Sequence, residues 1–237
     1  MFIDELQVAA EQANIKFSEE QLNQFDKFYN LVIAWNKKFN LTAITESKDF
    51  AIKHIIDSIL IWNDDKFSKI ETVIDVGTGA GFPGIPLKIY RSDIKITLLD
   101  SLAKRVKFLM TVIDEIALKD ITVIHSRAED AAHDLKLREN FDIAVSRAVA
   151  RLNILAEYCI PFVKIEGHFA ALKGSNLREE LQEAKRAIKI LGGSSIECID
   201  INLPNGDPRN LIYIKKVAAS PKNFPRKAGA PEKKPLT

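Results

Sequence analysis

Four glycines, Gly77, Gly79, Gly81 and Gly84, follow the apolar run Val73-Ile74-Asp75-Val76 within a few residues. Such a turn suits a bound nucleotide. Glycine has no Cβ and adopts positive φ readily, so backbone can approach the ligand closely. A helix beginning just after the turn aims its unpaired N–H groups at the same ligand. A dinucleotide-binding turn carries glycine at its first, third and sixth positions. Gly77 and Gly79 fit the first two, but Phe82 stands at the sixth. The pattern is instead acidic-x-Gly-x-Gly-x-Gly, with Asp75 as the acid, and a second acid, Asp100, ends the next apolar run.

This arrangement resembles the first motif of the class I S-adenosylmethionine methyltransferases. In a doubly wound sheet the ligand lies beyond the carboxyl ends of the strands, so the residues after each strand are the ones to inspect. Backbone at Gly77 and Gly79 would meet the amino-acid part of the cofactor, with Phe82 closing the pocket. Asp100 would accept hydrogen bonds from ribose hydroxyls, or cap the following helix. Ala128 and Glu129 would contact the adenine, although Glu129 also suits a helix N-terminus. Arg147 follows the fourth strand, where the methyl group meets its target; it could hold a carboxylate or phosphate bidentately, or pair with a surface acid. His54, Asp57 and Ser58 share one helix face that either caps the mouth of the site or forms a polar stripe. Lys173 ends the fifth strand and either approaches nucleic acid or closes a strand.

The elements that position these residues alternate from residue 71 onward. Strand signals are Thr72–Val76, Lys95–Asp100, Ile121–His125, Phe141–Val145 and His168–Leu172. Helix signals lie between and after them at Gly84–Tyr90, Ala103–Ala117, Ala128–Leu137, Leu152–Val163 and Asn176–Leu191. Alternation implies βαβ units and a mostly parallel sheet. Two late strand-like runs, Ser195–Leu203 and Asn210–Val217, flank Pro204-Asn205-Gly206-Asp207-Pro208, which is turn chemistry. The expected fold is α/β: a Rossmann-like, seven-stranded, mostly parallel sheet with an antiparallel last strand and an N-terminal helical extension. Residues 18–39 read as an amphipathic helix with a Ser18/Gln21 capping box, ended by Asn40. A second helix runs from about Ser47 to Trp62. The division expected is 1–66 for the helical extension packed on the main domain, 67–219 for the cofactor-binding domain, and 220–237 for an extended basic arm.

That arm holds Lys222, Arg226, Lys227, Lys233 and Lys234 against Glu232. The formal net charge of the 237 residues is only +2, so the rest of the chain is net acidic. Lysine and arginine beside Phe224 and several prolines suit a grip on RNA backbone, the alternative being a solubilising end. The two cysteines, Cys159 and Cys198, lie in apolar stretches and read as reduced core residues rather than a disulfide framework. No metal-ligand spacing occurs. The N-terminus lacks a basic n-region, and no apolar run approaches a membrane span, so a cytoplasmic protein is expected. Nothing in the sequence demands a dimer, and a monomer is expected.

Several segments occur together and in order: Asn40-Leu41-Thr42-Ala43-Ile44-Thr45, His54-Ile55-Ile56-Asp57-Ser58, Asp75 to Pro86, Arg127-Ala128-Glu129, Ser146-Arg147-Ala148 and Pro225-Arg226-Lys227-Ala228-Gly229. Together they resemble the bacterial small-subunit ribosomal RNA guanine-N7 methyltransferases, the glucose-inhibited division protein B family, from about residue 22 to the end. The resemblance implies methylation of the N7 of a guanine, position 527 in the 530 loop of 16S rRNA. It puts S-adenosylmethionine contacts on Gly77, Phe82, Ala128, Glu129 and Arg147. N7 already carries a lone pair, so no general acid or base is needed and catalysis reduces to positioning the methyl group in line. His54, Asp57, Ser58, Lys173 and the arm's basic residues are the candidates for RNA contact. Three competing functions exist: a class I enzyme acting on a small molecule or protein, a nicotinamide-dependent oxidoreductase, and a non-catalytic assembly factor. The first needs no basic arm, the second wants the missing glycine and a hydride-transfer site, and turnover separates the third.

Overall fold

The computed structural model describes residues 1–62, 64–67, 69–147, 150–174 and 177–236. Ala148 and Val149, which follow Arg147, and Asn176, read above as a helix start, lie outside the described residues.

Helices α1 (Phe2–Gln12) and α2 (Glu19–Phe39) open the chain. The α2 start is the capping box expected. Ser18 Oγ accepts from the Gln21 amide at 3.2 Å, and Gln21 Oε1 accepts from the Ser18 amide at 2.9 Å. Gln21 also donates through Nε2 to Ile89 and Tyr90 carbonyls, each at 3.0 Å, which ties α2 to the main domain. Asn40 ends α2 in the left-handed conformation. A second helical segment consists of α3 (Ser47–Phe50), a π-helical stretch (Ala51–Ile56) and α4 (Asp57–Ile59), and stops short of the expected Trp62. A short α5 (Asp64–Phe67) leads to the sheet.

From β1 onward strands and helices alternate: β1 (Thr72–Val76), α6 (Gly84–Tyr90), β2 (Lys95–Asp100), α7 (Ala103–Ile116), β3 (Ile121–His125), α8 (Ala128–Ala131), β4 (Phe141–Ser146), α9 (Leu152–Cys159), β5 (Val163–Lys173) and α10 (Leu177–Ile190). The hairpin strands β6 (Gly193–Asn202) and β7 (Pro208–Lys216) follow, and α11 (Ala230–Lys233) closes the chain. Strand order is β3-β2-β1-β4-β5-β7-β6, with β7 antiparallel to both neighbours. Strand order reverses between β1 and β4, so the ligand crevice of this sheet lies at their carboxyl ends.

Two departures matter. Helix α8 ends at Ala131 rather than Leu137, because Asp134 Oδ1 captures the Lys136 amide and the chain turns through three-residue steps. Strand β5 begins at Val163, five residues earlier than expected, across a register shift against β4.

One face of the sheet and the N-terminal helices share one core, in which Phe25, Phe28, Phe50 and Phe108 pack with Ile85 and Leu98. On the opposite face Leu155, Phe162, Phe169 and Ile188 form a second core. Cys159 is buried there, whereas Cys198 is exposed on β6, the edge strand of the sheet, and is no core residue. No helix among the described residues is long and apolar enough to cross a membrane.

Candidate functional site

The glycine turn is held by β2: the Gly77 and Thr78 amides donate to the Leu99 carbonyl at 2.9 and 3.1 Å. Its glycines divide into two kinds. At Gly77 (φ +74°) nothing lies within 4 Å of where a Cβ would stand, so this backbone faces open space. At Gly84 a Cβ would run into Leu98 and stand 2.8 Å from Asp75 Oδ2. The first kind leaves room for a ligand, and the second lets α6 pack on the sheet.

A cavity of about 250 Å³ opens beside Gly77, at the ends of β1, β2 and β3. It brings together Gly77, Asp100, Ala128 and Glu129, as their places after successive strands require. The Asp100 side chain is buried; its Oδ2 accepts from the Gly79 amide at 2.9 Å and its Oδ1 from the Leu102 amide at 2.9 Å. One carboxylate thus fixes the glycine turn and the start of α7 while lining the cavity. Glu129 is also buried, and its Oε1 accepts from the Gly229 amide at 3.0 Å. Asp75 is fully buried behind the turn. Its Oδ2 accepts from the Gly84 amide at 2.8 Å, while Oδ1 has no partner. Burial pushes its carboxyl up to about 7.

Gly79, Phe82 and Arg147 do not line this cavity, contrary to the reading of Phe82 as its closing wall. Phe82 and Arg147 lie elsewhere. They form a buried polar cluster with the second preamble helix. Phe82 is drawn into the aromatic core, against Phe28 and Phe50. The His54 ring stacks on Phe82, and the Arg147 guanidinium lies over the same ring at 4.7 Å. Arg147 donates to His54 Nδ1 at 2.8 Å and to the Lys53 carbonyl at 2.9 Å, and pairs with Asp57 at 3.4 Å. Asp57 also takes Arg209 Nε at 3.0 Å. Burial, with Arg147 adding to it, lowers His54 to about 3, so the ring is neutral. Nδ1 then accepts from Arg147, and Nε2–H donates to Thr42 Oγ1 at 2.8 Å. Burial raises the Asp57 carboxyl against the opposing pull of Arg147 and Arg209. The cluster is therefore an internal brace of His54, Asp57 and Ser58. All three are buried, which corrects their reading as RNA contacts.

The C-terminal residues correct the expectation of an extended arm. Arg226 binds the fully buried carboxylate of Glu157, with Nη2 to Oε2 at 2.6 Å and Nε to Oε1 at 2.9 Å. Arg138 takes the Ser220 and Phe224 carbonyls, each at 2.8 Å. The segment is a docked strap, and Arg226 is an internal anchor rather than a free cation. Lys173 likewise turns inward, to the Ala150 carbonyl and Glu180, each at 2.7 Å. Lys222, Lys227, Lys233 and Lys234 are exposed. Sequence reasoning missed Tyr158, Gly229 and Glu232 as cavity walls. Tyr158 lies in an ordinary apolar helix pattern, and no local signal brings the strap to it. No group of three or more potential metal ligands occurs among the described residues.

A family model described as "rRNA small subunit methyltransferase G" matches residues 21–204. The chain is 49% identical over 236 residues to ribosomal RNA small subunit methyltransferase G of Clostridium perfringens (strain SM101 / Type A), and equally to that of Clostridium beijerinckii, covering 99% of each chain. Among solved structures it resembles the S-adenosylmethionine-dependent methyltransferase SibL in its apo form (TM-score 0.55, 11% identity, 91% of this chain and 74% of that one). It also resembles M. jannaschii TYW2 in complex with AdoMet (TM-score 0.51, 15% identity, 69% and 76%). These structural likenesses carry the fold, which is that of the class I methyltransferases.

Proposed function

The chain belongs to the rRNA small subunit methyltransferase G family, and from that premise we propose that it transfers a methyl group from S-adenosylmethionine to the N7 of guanine 527 in the 530 loop of 16S rRNA. The observation that carries this reading is the acceptor-lined cavity at the carboxyl ends of β1, β2 and β3, walled by Asp100 and Glu129 beside the open backbone of Gly77.

The residues present fit the cofactor. Asp100 suits ribose hydroxyls. The Glu129 oxygen not taken by Gly229, together with the Ala128 backbone, suits an adenine edge. Gly77 and Gly79 offer backbone to the amino-acid part, and Arg147 stands after β4, on the side of the methyl target. Asp75 is a buried carboxylate directly behind the turn, where it holds the Gly84 amide at the start of α6. When bound, the cofactor supplies a methyl group activated by its sulfonium.

The chemistry asks the protein for placement alone. N7 already carries a lone pair, so its attack on that methyl group would require no proton to move. The buried groups suit that demand. His54 is neutral with both nitrogens bonded, and Asp57 is held by two arginines, so both orient rather than shuttle protons. A covalent route through cysteine finds no support. Burial raises the Cys159 thiol well above its usual range, and neither cysteine lines the cavity. Catalysis is then an effect of orientation.

We divide the chain accordingly: 1–66 positions the brace, 67–219 binds the cofactor, and 220–237 straps the cavity and presents Lys222, Lys227, Lys233 and Lys234 to RNA. We take the protein to act as a monomer, and the substrate implies the cytoplasm. The test is methyl transfer from radiolabelled S-adenosylmethionine to small-subunit RNA and subunit particles, with the product nucleoside identified by mass spectrometry. A single 7-methylguanosine supports the proposal. Cofactor binding without transfer to these substrates rejects the acceptor.

A further inference from the structure

The cavity has a wall that no strand end supplies. Gly229 and Glu232 of the C-terminal strap line it, together with Gly77 and with Tyr158 of α9. The strap is fixed there by charge-assisted bonds, the strong kind. Arg226 donates to both oxygens of Glu157, and the Arg226 amide adds a third bond to Glu157 Oε1 at 2.8 Å. Arg226 Nη1 reaches forward to the Lys234 carbonyl at 2.7 Å, which closes the segment between them into a loop. His133 Nε2 meets the Pro225 carbonyl at 2.9 Å. Within that loop the Gly229 amide, at φ +77°, donates to Glu129 Oε1.

Glu129 is the group this bond acts on. It is 6% exposed, and no cation among the described residues pairs with it. Its one hydrogen bond from these residues is the Gly229 amide, so Oε2 keeps its acceptor capacity toward the cavity. That oxygen is reached from the cavity and is open to a donor brought by a ligand. Its direction is set by what holds the other oxygen.

We propose that the C-terminal strap is part of the cofactor site: the Arg226–Glu157 anchor seats the Gly229 amide on Glu129, and this orients the Glu129 carboxylate to select an exocyclic amino group on the purine. This rests on the reading of Glu129 as an adenine contact. Arg226 is on this account a positioning residue that acts through Gly229. The same sixth position in hypoxanthine carries a carbonyl, an acceptor, which would meet the carboxylate acceptor to acceptor.

The experiment compares binding of S-adenosylhomocysteine and S-inosylhomocysteine by calorimetry, using the full chain and Arg226→Met. A purine-selecting carboxylate gives the full chain a preference for the adenosyl form of about tenfold or more, the size of one hydrogen bond to a charged group. In Arg226→Met that preference shrinks to about threefold or less, mainly through weaker adenosyl binding. A merely structural anchor weakens both ligands alike and leaves the ratio unchanged, and that result overturns the proposal. If Arg226→Met fails to fold, the ratio is read on Gly229→Ala. Nothing lies within 4 Å of the added Cβ there, and only the φ is strained, which turns the amide away from Glu129. A full chain that binds S-adenosylhomocysteine without any preference overturns the adenine reading of Glu129 as well. A full chain that binds neither overturns the cofactor assignment itself.

Discussion

The His54 imidazole lies flat on the Phe82 ring, with centroids 4.2 Å apart and planes 15° from parallel. One residue comes from the helical preamble and the other from the glycine turn. Arg147, from the end of β4, covers the same Phe82 ring and bonds His54. Three segments distant in sequence are thereby locked at one point. His54 does not line the cavity, yet it fixes the group expected beside the methyl target.

Replacing His54 by alanine is therefore expected to weaken cofactor binding about tenfold, through a displaced Arg147, at a stability cost of roughly 2–3 kcal/mol for the unfilled space and the orphaned donor. Calorimetry for affinity and denaturant unfolding for stability check both parts. Unchanged affinity in a folded His54→Ala protein would separate Arg147 from the cofactor.

A second prediction concerns pH. His54 is lowered to about 3, so the unfolded chain binds a proton that the fold refuses, and this contribution to stability is lost as pH falls below about 6.5. Asp75 has the opposite sign. Raised to about 7, it keeps in the fold a proton the unfolded chain releases, so its contribution is lost as pH rises from about 4 toward 7. Between pH ~4 and ~6.5 the two slopes oppose, each near 1.4 kcal/mol per pH unit. Relative to the unsubstituted protein, Asp75→Asn should gain stability with rising pH across that window, and His54→Gln should lose it. Parallel unfolding curves for all three proteins would refute the assignment of these two groups.

Much of this site was legible from residue order. Gly77, Asp100 and Glu129 each follow or end a strand whose apolar run is unmistakable, and parallel pairing carries them to one edge. The direction of the side chains was not legible. Arg147 reads as a cavity residue because it follows a strand, and Phe82 because it belongs to the glycine turn, but both pack with His54 as a brace. The strap was the larger miss. Its prolines and lysines have no periodicity, and what holds it is long-range: Arg226 to Glu157 and Arg138 to strap carbonyls. A composition rule that sees five basic residues cannot tell an anchor from a free cation. The π-helical stretch Ala51–Ile56 was equally silent, because an extra residue in one turn leaves no mark in the apolar pattern.

The two kinds of glycine separate by mutation. Gly77→Val directs a branched side chain into the open space where the ligand belongs, so cofactor binding should vanish while cooperative unfolding persists at a somewhat lower midpoint. Gly84→Ala presses a methyl group on Leu98 and Asp75, and overpacking of this kind costs about 1–3 kcal/mol. Binding should then fall only as far as the fold does. Circular dichroism melts paired with titration of S-adenosylhomocysteine distinguish the two, and normal affinity in Gly77→Val sinks the loop assignment.

The last prediction divides the basic residues of the strap. Lys227, Lys233 and Lys234 are exposed, whereas Arg226 is consumed by Glu157. Phosphate contacts release counterions, so each one lost lowers the salt dependence of RNA binding by about 0.7–0.9 in log–log slope. Replacing the three lysines by alanine should flatten the slope by about two to three while leaving cofactor affinity unchanged, because none of them lines the cavity. Arg226→Met should show the inverse pattern: cofactor affinity falls, and the salt slope changes only as far as the strap itself is displaced. RNA binding measured at several salt concentrations, beside cofactor titrations of the same proteins, reads both effects. A triple-lysine variant with an unaltered salt slope would remove the strap from the RNA interface and move the search to other basic surfaces, beginning with Lys104 and Lys107 on α7, which starts at the edge of the same cavity.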